Sequence, residues 1–312
     1  MRIVFIGSTK FSLRCLTAIK DLPSCEIVGV VTAPRVFKIS YRPEGVTNLL
    51  FADISTYATV FGWPCETIGD EGMRSSALFQ RFAKWRPEVI IVAGWYHMVP
   101  KTWRKVAPAF GLHASLLPDY SGGAPLVWAI INGEKRTGIS LFQLGDGVDD
   151  GPLLGQAGTE ISDDDNIATL YNRVEDLGIK LLQTHLPQLA AGSAVLQPQD
   201  EKRRRVFPQR SPVDGHIDWN WPAMRVYDFI RAQTRPYPGA FTQCGNHQVT
   251  IWCARVAADD IGALPGRARL SKGHIFVGCG NQTVVELLDL ALDGVDKPVS
   301  NVAELLLSHA LA

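Results

Sequence analysis

The sequence predicts an α/β protein, with a mainly parallel, Rossmann-like sheet followed by a smaller β-rich domain. Short apolar runs with β-branched residues, at residues 3–6, 27–31 and 89–93, alternate with helix-like segments through the first two thirds of the chain. That is the pattern of buried parallel strands covered by helices. Past a charge-rich stretch around residue 200, strand-like runs are separated by turn residues, as in a small antiparallel barrel or sandwich. With 312 residues, 46% of them hydrophobic, the chain can bury a core in each of two domains.

The first run, residues 3–6, ends in Gly7-Ser8-Thr9-Lys10, which opens a helix-like segment over 11–20. Backbone N–H groups at such a turn can meet an anion, but G-x-G-x-x-G and the Walker pattern are absent, which argues against a dinucleotide. A plain strand-to-helix turn and a substrate contact through Ser8 and Thr9 both stay open. Residues 27–31 read as the next strand, 49–60 as a helix, and 79–84 as the helix before the strand at 89–93. Leu170, Val174, Leu177, Ile179, Leu181 and Leu182 repeat at helical spacing within residues 166–189, and Pro187 is expected to end that helix. A first domain over 1–196, a polar linker over 197–210 and a second domain over 211–312 follow. The linker's Arg203-Arg204-Arg205 reads as a solvated face, with a polyanion contact as the alternative. Beyond it come a helix-like segment at 223–232 and strand-like runs at 240–244, 249–256, 274–277 and 283–287.

Lys+Arg and Asp+Glu are equal at 31 each, so no global positive field draws nucleic acid to the whole molecule. The six cysteines form no C-x-x-C pair and read as buried free thiols. No apolar run is long enough for a signal peptide or a membrane span, so a cytoplasmic enzyme is expected.

Chemistry concentrates in Gly111-Leu112-His113-Ala114-Ser115-Leu116-Leu117-Pro118, then Gly122-Gly123-Ala124-Pro125, and later Val148-Asp149-Asp150-Gly151-Pro152. A histidine closing a short apolar segment just before a turn projects into the crevice at the carboxyl ends of parallel strands, where α/β sheets place active sites. Taken singly, His113 is as well explained as a structural histidine and Asp149 as a turn former.

At these residues the chain resembles the 10-formyltetrahydrofolate-dependent formyltransferases, whose pattern is N-x-H-x-S-L-L-P followed by D-x-G. His113, Ser115 to Pro118, Asp149 and Gly151 match it. Further similarity runs through Ala129-Ile130-Ile131-Asn132-Gly133, Thr137-Gly138-Ile139-Ser140, Ser211-Pro212, Asp214-Gly215, Ile217-Asp218-Trp219 and Pro236-Tyr237-Pro238-Gly239-Ala240-Phe241-Thr242. The resemblance covers nearly the whole chain and implies an OB-like C-terminal domain. It implies direct formyl transfer from 10-formyltetrahydrofolate to an amine, with His113 as hydrogen-bond donor and proton carrier, Asp149 holding it, and no metal. It also implies a pterin slot at Tyr96, His97, Met98 and Val99 and along Gln143, Leu144, Asp146, Gly147 and Val148, with Ser8, Thr9, Gly111 and Ser115 near the acceptor.

One departure stands out: the family's catalytic Asn falls on Gly111, which has no side chain to donate a hydrogen bond. Loss of such a donor typically costs about a hundred- to a thousandfold in rate. Ser115, Gln143, a backbone N–H or a water in the space opened by Gly111 are the candidate substitutes, with water favoured; a noncatalytic folate- or partner-binding homologue is the alternative. Asp119 and Ser121 stand where relatives usually carry basic residues, so a nucleotide-linked amino sugar is favoured over methionyl-tRNA as acceptor. The stretch 34–43, with Phe37, Tyr41 and several basic residues, reads either as a stacking loop for a nucleobase or as a packed surface loop.

Overall fold

The computed structural model describes residues 1–39, 42–257 and 262–312. In chain order the elements through the middle of the chain are β1 (Arg2–Ile6), α1 (Lys10–Lys20), β2 (Glu26–Thr32), β3 (Val36–Ile39), β4 (Arg42–Thr47), α2 (Ile54–Val60), β5 (Cys65–Thr67), α3 (Ser76–Lys84), β6 (Val89–Val92), α4 (Lys101–Arg104), β7 (Ala109–His113), α5 (Pro125–Ile131), β8 (Arg136–Gln143), β9 (Leu153–Glu160) and α6 (Ile167–Ala190). The chain divides into two compact units, one of Met1–Gly122, Gly138–Thr159 and Arg173–Val206, the other of Gly123–Thr137, Glu160–Asn172 and Phe207–Ala312.

A seven-stranded sheet in the order β9-β8-β7-β6-β1-β2-β5 organises the first unit. Strands β7, β6, β1, β2 and β5 run parallel, and β8 returns antiparallel to β7. The central strands are apolar on both faces: Ile3 to Ile6 and Ile90 to Ile91 are fully buried, as a parallel sheet covered on two sides requires. Helix α2 starts at Ile54, later than its apolar pattern, because the Asp53 carboxylate caps the Thr56 N–H at 3.0 Å. Pro187 lies inside α6, which continues to Ala190, and the Pro187 carbonyl still accepts from the Ala191 N–H. Proline removes only its own N–H from the ladder, so the expected stop there is displaced by about one turn.

In the second unit α7 (Ala223–Arg231) precedes an antiparallel sheet of β10 (Ala240–Cys244), β11 (His247–Ala257), β12 (Ala268–Ser271), β13 (His274–Gly278), β14 (Val284–Leu292) and β15 (Val295–Lys297), and α8 (Val299–Ser308) follows. The order is β10-β11-β14-β13-β12, with β15 paired to β14. Its core gathers Ile217, Trp219, Phe229, Ile251, Val277, Val285 and Leu306. Arg231, on α7, is buried; it pairs with Asp228 at 2.8 Å and donates to the carbonyls of Ser162 and Asp165 at 2.9 and 2.6 Å. Segment 160–172 is thereby fastened within this unit.

Candidate active site

Strand β7 delivers His113 at its carboxyl end, beside the antiparallel β8, where His113 pairs with Ser140. The chain then turns sharply, and polar side chains lock the turn. Ser115 Oγ donates to the Asp119 carbonyl (2.7 Å), Ser140 Oγ donates to the Ser115 carbonyl (2.6 Å), and Gln156 Nε2 donates to the Leu117 carbonyl (2.9 Å). The turn brings the Tyr120 carbonyl within 2.8 Å of His113 Nε2. A carbonyl only accepts, so Nε2 carries the ring hydrogen.

The other ring nitrogen, Nδ1, faces Asp149 Oδ2 at 3.5 Å, and both side chains are largely buried. Asp149 sits in the left-handed region (φ +51°), and its Oδ2 accepts from the Gly122 N–H at 2.8 Å. The loop that presents it closes tightly: a Cβ on Gly151 would lie 1.7 Å from the Gln143 carbonyl oxygen, so only glycine fits there. His113 and Asp149, distant in sequence, therefore face each other. Both imidazole nitrogens meet acceptors, and a proton on Nδ1 would have Asp149 as its neighbour.

Segments 94–100 and 143–149 lie side by side. Arg104 joins them: Nε donates to the Val99 carbonyl (3.2 Å), one terminal nitrogen to the Leu144 carbonyl (3.4 Å), and the other to Asp146 (2.8 Å). Lys101 also reaches Asp146 at 2.5 Å, and these two cations hold the Asp146 carboxyl below its usual range. Val99 is buried in an apolar cluster against which Trp95 and Leu144 pack, whereas Tyr96 and Met98 are exposed. His97 packs on Phe37 and Trp95 at ring separations of 5.0 and 5.2 Å, and burial pushes it below its usual value. Among the described residues, Trp95 Nε1, His97 Nε2 and Asp150 Oδ1 are buried without a hydrogen-bond partner. Gly147 and Val148, with Asp150, Glu201, Arg204 and Val206, line a cleft of about 370 Å³; His113 is not part of its wall.

The other residues singled out in the sequence are placed differently. Thr9 caps α1 in a reciprocal pair with Ser12, the Lys10 N–H donates to the Leu50 carbonyl, and Ser8 is fully buried beside Asn48 and Gly94. The N–H groups of Thr9, Lys10 and Ser12 already have acceptors within the protein. Ser115 is buried with its hydroxyl engaged in the turn. Gln143 pairs with Phe110 and lines a separate cavity with Met1, Glu88 and Leu189, on the face of the sheet opposite Gly111 and His113. The space beside Gly111 is filled, not open for the expected water: a Cβ there would lie 2.9 Å from Leu144 Cδ2 and 3.3 Å from the Phe142 ring. In stretch 34–43, Phe37 is buried against Tyr96 and His97, which fits the packed-loop alternative; Tyr41 lies outside the described residues.

Sequence reasoning missed Arg104, Asn48 and Tyr120, and took Gly122 only as part of the Gly122-Gly123-Ala124-Pro125 stretch, not as the N–H that holds Asp149. Asn48 is buried, donates to the Ser8 carbonyl at 3.0 Å and accepts from the Tyr96 hydroxyl at 3.3 Å. Tyr120 and Gly122 act through backbone groups, which leave no residue-type signal.

Residues 1–186 match the family described as formyl transferase, and residues 210–306 match the formyl transferase C-terminal domain. The chain belongs to the formyl transferase family. This formyltransferase is 31% identical to a methionyl-tRNA formyltransferase of Caldanaerobacter subterraneus subsp. tengcongensis, over 99% of this chain and 97% of the relative. Its fold is similar to that of an N-formyltransferase from Helicobacter canadensis solved with folinic acid and dTDP-3-aminofucose (TM-score 0.68, 14% identity, 91% of this chain and 98% of that one). It is also similar to HypX from Aquifex aeolicus solved with tetrahydrofolic acid (TM-score 0.64, 16% identity), where the match covers 98% of this chain and 47% of that one. The formyltransferase thus spans about half the length of HypX.

Proposed function

We propose that this formyltransferase moves a formyl group from 10-formyltetrahydrofolate to the primary amine of a nucleotide-linked amino sugar, with His113 and Asp149 as the catalytic pair. The observation that carries the reading is the approach of His113 Nδ1 to Asp149 Oδ2 at 3.5 Å, with Nε2 held by the Tyr120 carbonyl. Such a pair holds a proton at Nδ1 and passes it on, which amine acylation needs. Catalytic hydrogen bonds are often long before substrate binds.

Residues of this chain fit a folate. A pterin is flat and carries many donors and acceptors; segments 94–100 and 143–149 offer apolar walls, and Trp95 Nε1, His97 Nε2 and, just past the second segment, Asp150 Oδ1 are buried polar atoms without a partner among the described residues. Tyr96, His97, Met98 and Val99 would hold it on one side, and Gln143, Leu144, Asp146, Gly147 and Val148 on the other, Gln143 through its backbone. When bound, the folate supplies the formyl carbon and a nitrogen leaving group. His113 and Asp149 would take the proton that the attacking amine loses as its bond to the formyl carbon forms, and return it to the folate nitrogen as the bond from that nitrogen to the formyl carbon breaks.

Asp119 bears on the acceptor. It binds Arg205 through two contacts of 2.6 and 2.5 Å, so the cation beside the Ser115–Pro118 turn is neutralised instead of being presented to a polyphosphate. A small acceptor fits that environment, and the Helicobacter relative was solved with an amino-sugar nucleotide. The full-length 31% identity to a methionyl-tRNA formyltransferase favours the second reading, transfer to methionyl-tRNA. The test is tetrahydrofolate release from 10-formyltetrahydrofolate with a panel of nucleotide-linked 3- and 4-amino sugars and, separately, methionyl-tRNA. Release that depends on an amino sugar supports the first reading. Release only with methionyl-tRNA overturns it in favour of the second.

A further inference from the structure

We infer that the segment from Gln199 to Arg205 is a positioning clamp for the catalytic pair; the inference rests on the roles proposed above for His113 and Asp149. The segment touches what holds His113 on both sides. Gln199 Nε2 donates to the Asp149 carbonyl at 2.7 Å and to the Gly151 carbonyl at 2.6 Å, bridging the two residues that flank Asp150. Arg204 donates to the preceding carbonyl, that of Val148. The contacts to the Val148 and Asp149 carbonyls thus fix the peptides on either side of Asp149, and the third, to Gly151, anchors the loop just beyond; the left-handed backbone of Asp149 aims Oδ2 at Gly122 N–H and His113 Nδ1.

Arg205 serves the other nitrogen. Its guanidinium binds both oxygens of Asp119 and lies over the Tyr120 ring, 4.9 Å from its centroid, while its carbonyl accepts from the Ser121 N–H at 3.0 Å. Tyr120, held between Asp119 and Ser121, supplies the carbonyl on His113 Nε2. A merely solvated linker would turn these side chains to water. Instead both hydrogens of the Gln199 amide are directed at backbone carbonyls, and its Oε1 is buried without a partner among the described residues. Leaving an acceptor unmade is unfavourable, and here it accompanies the fixing of Asp149.

Gln199→Met tests the clamp, since it keeps the length and removes the donors; Gln199→Glu keeps the shape and serves if the first variant folds poorly. Three measurements are made beside Asp149→Asn: kcat and KM with 10-formyltetrahydrofolate and whichever of the amino-sugar nucleotides or methionyl-tRNA supports turnover, the ring ¹⁵N resonances of His113 without acceptor, and the thermal midpoint. The clamp predicts that Gln199→Met lowers kcat about 10- to 100-fold with KM for the folate within about twofold. It also predicts that the His113 resonances move in the direction seen for Asp149→Asn, and that the double variant is no slower than Asp149→Asn alone. Unchanged His113 resonances and wild-type kcat in Gln199→Met, or rate losses that multiply in the double variant, overturn the clamp while leaving the pair intact. Wild-type kcat in Asp149→Asn instead removes the pair, and the clamp with it.

Discussion

Leu144 fills the space that a side chain at Gly111 would occupy: Cδ2 lies 2.9 Å from the position of a Cβ there. Leu144 belongs to the loop that also bears Asp149, and it closes the strand position on which the resemblance places the family pattern's Asn. The obstructing atom is the end of a flexible side chain, so a side chain at this position requires Leu144 to shift. A ligand donor at this place would have to come from elsewhere, and Ser115 and the Gln143 side chain are excluded by their placement.

Gly111→Asn should therefore be tolerated at a small penalty, about 1 kcal/mol, from displacing Leu144. The double variant Gly111→Asn with Leu144→Ala should cost less than the sum of the two single changes, because the new side chain enters the room that Leu144 leaves. Urea unfolding of the four proteins reads this directly. Strict additivity would mean that the two side chains do not compete for one space.

His97 gives a pH dependence. Burial lowers its folded value below the usual 6.5, so the unfolded chain binds more protons in the window below that value. The stability it contributes is present above pH 6.5 and is lost as the pH falls through the usual value toward the lower folded one. Denaturation midpoints at pH 7.5 and 5.5 should differ more for the wild type than for His97→Gln. Equal differences would show that His97 does not titrate in this way.

Arg231 makes the strongest stability prediction. Arg231→Met leaves Asp228 and the Asp165 carbonyl buried, and the Ser162 carbonyl part-buried, without their cation, and breaking a buried pair on one side costs about 3–5 kcal/mol. Burial already pushes the Asp228 carboxyl upward despite Arg231, so removal of the cation strengthens that tendency. Calorimetry should show a large fall in the unfolding temperature. A change of a few tenths of a kcal/mol would mean that the segment is held by other contacts.

The core strands were legible because a doubly covered parallel strand leaves a continuous apolar run, as at Ile3 to Ile6 and Val89 to Val92. Strands β12 and β15 were missed because Ala268–Ser271 and Val295–Lys297 are short and half-exposed or exposed, without a buried face to mark them. The bounds of α2 depended on a cap and those of α6 on how much helix a proline permits, neither of which hydrophobic spacing records. At the site, side-chain chemistry showed in the pattern, so His113 and Asp149 could be singled out. Tyr120, Gln199 and Arg104 could not, nor could the part that the Gly122 N–H plays, because each acts on or through backbone groups whose neighbours only the fold decides. Gly111 was visible as an absence, yet that Leu144 occupies its space is a fact of packing.

The most direct test of the central claim is tetrahydrofolate release from 10-formyltetrahydrofolate by Asp149→Asn and by His113→Ala, each against the wild type, with the acceptor that supports turnover. Both variants should transfer the formyl group more slowly by about two to four orders of magnitude, with thermal midpoints close to that of the wild type. Transfer at near-wild-type rates by both would contradict the assignment of this pair to the chemistry.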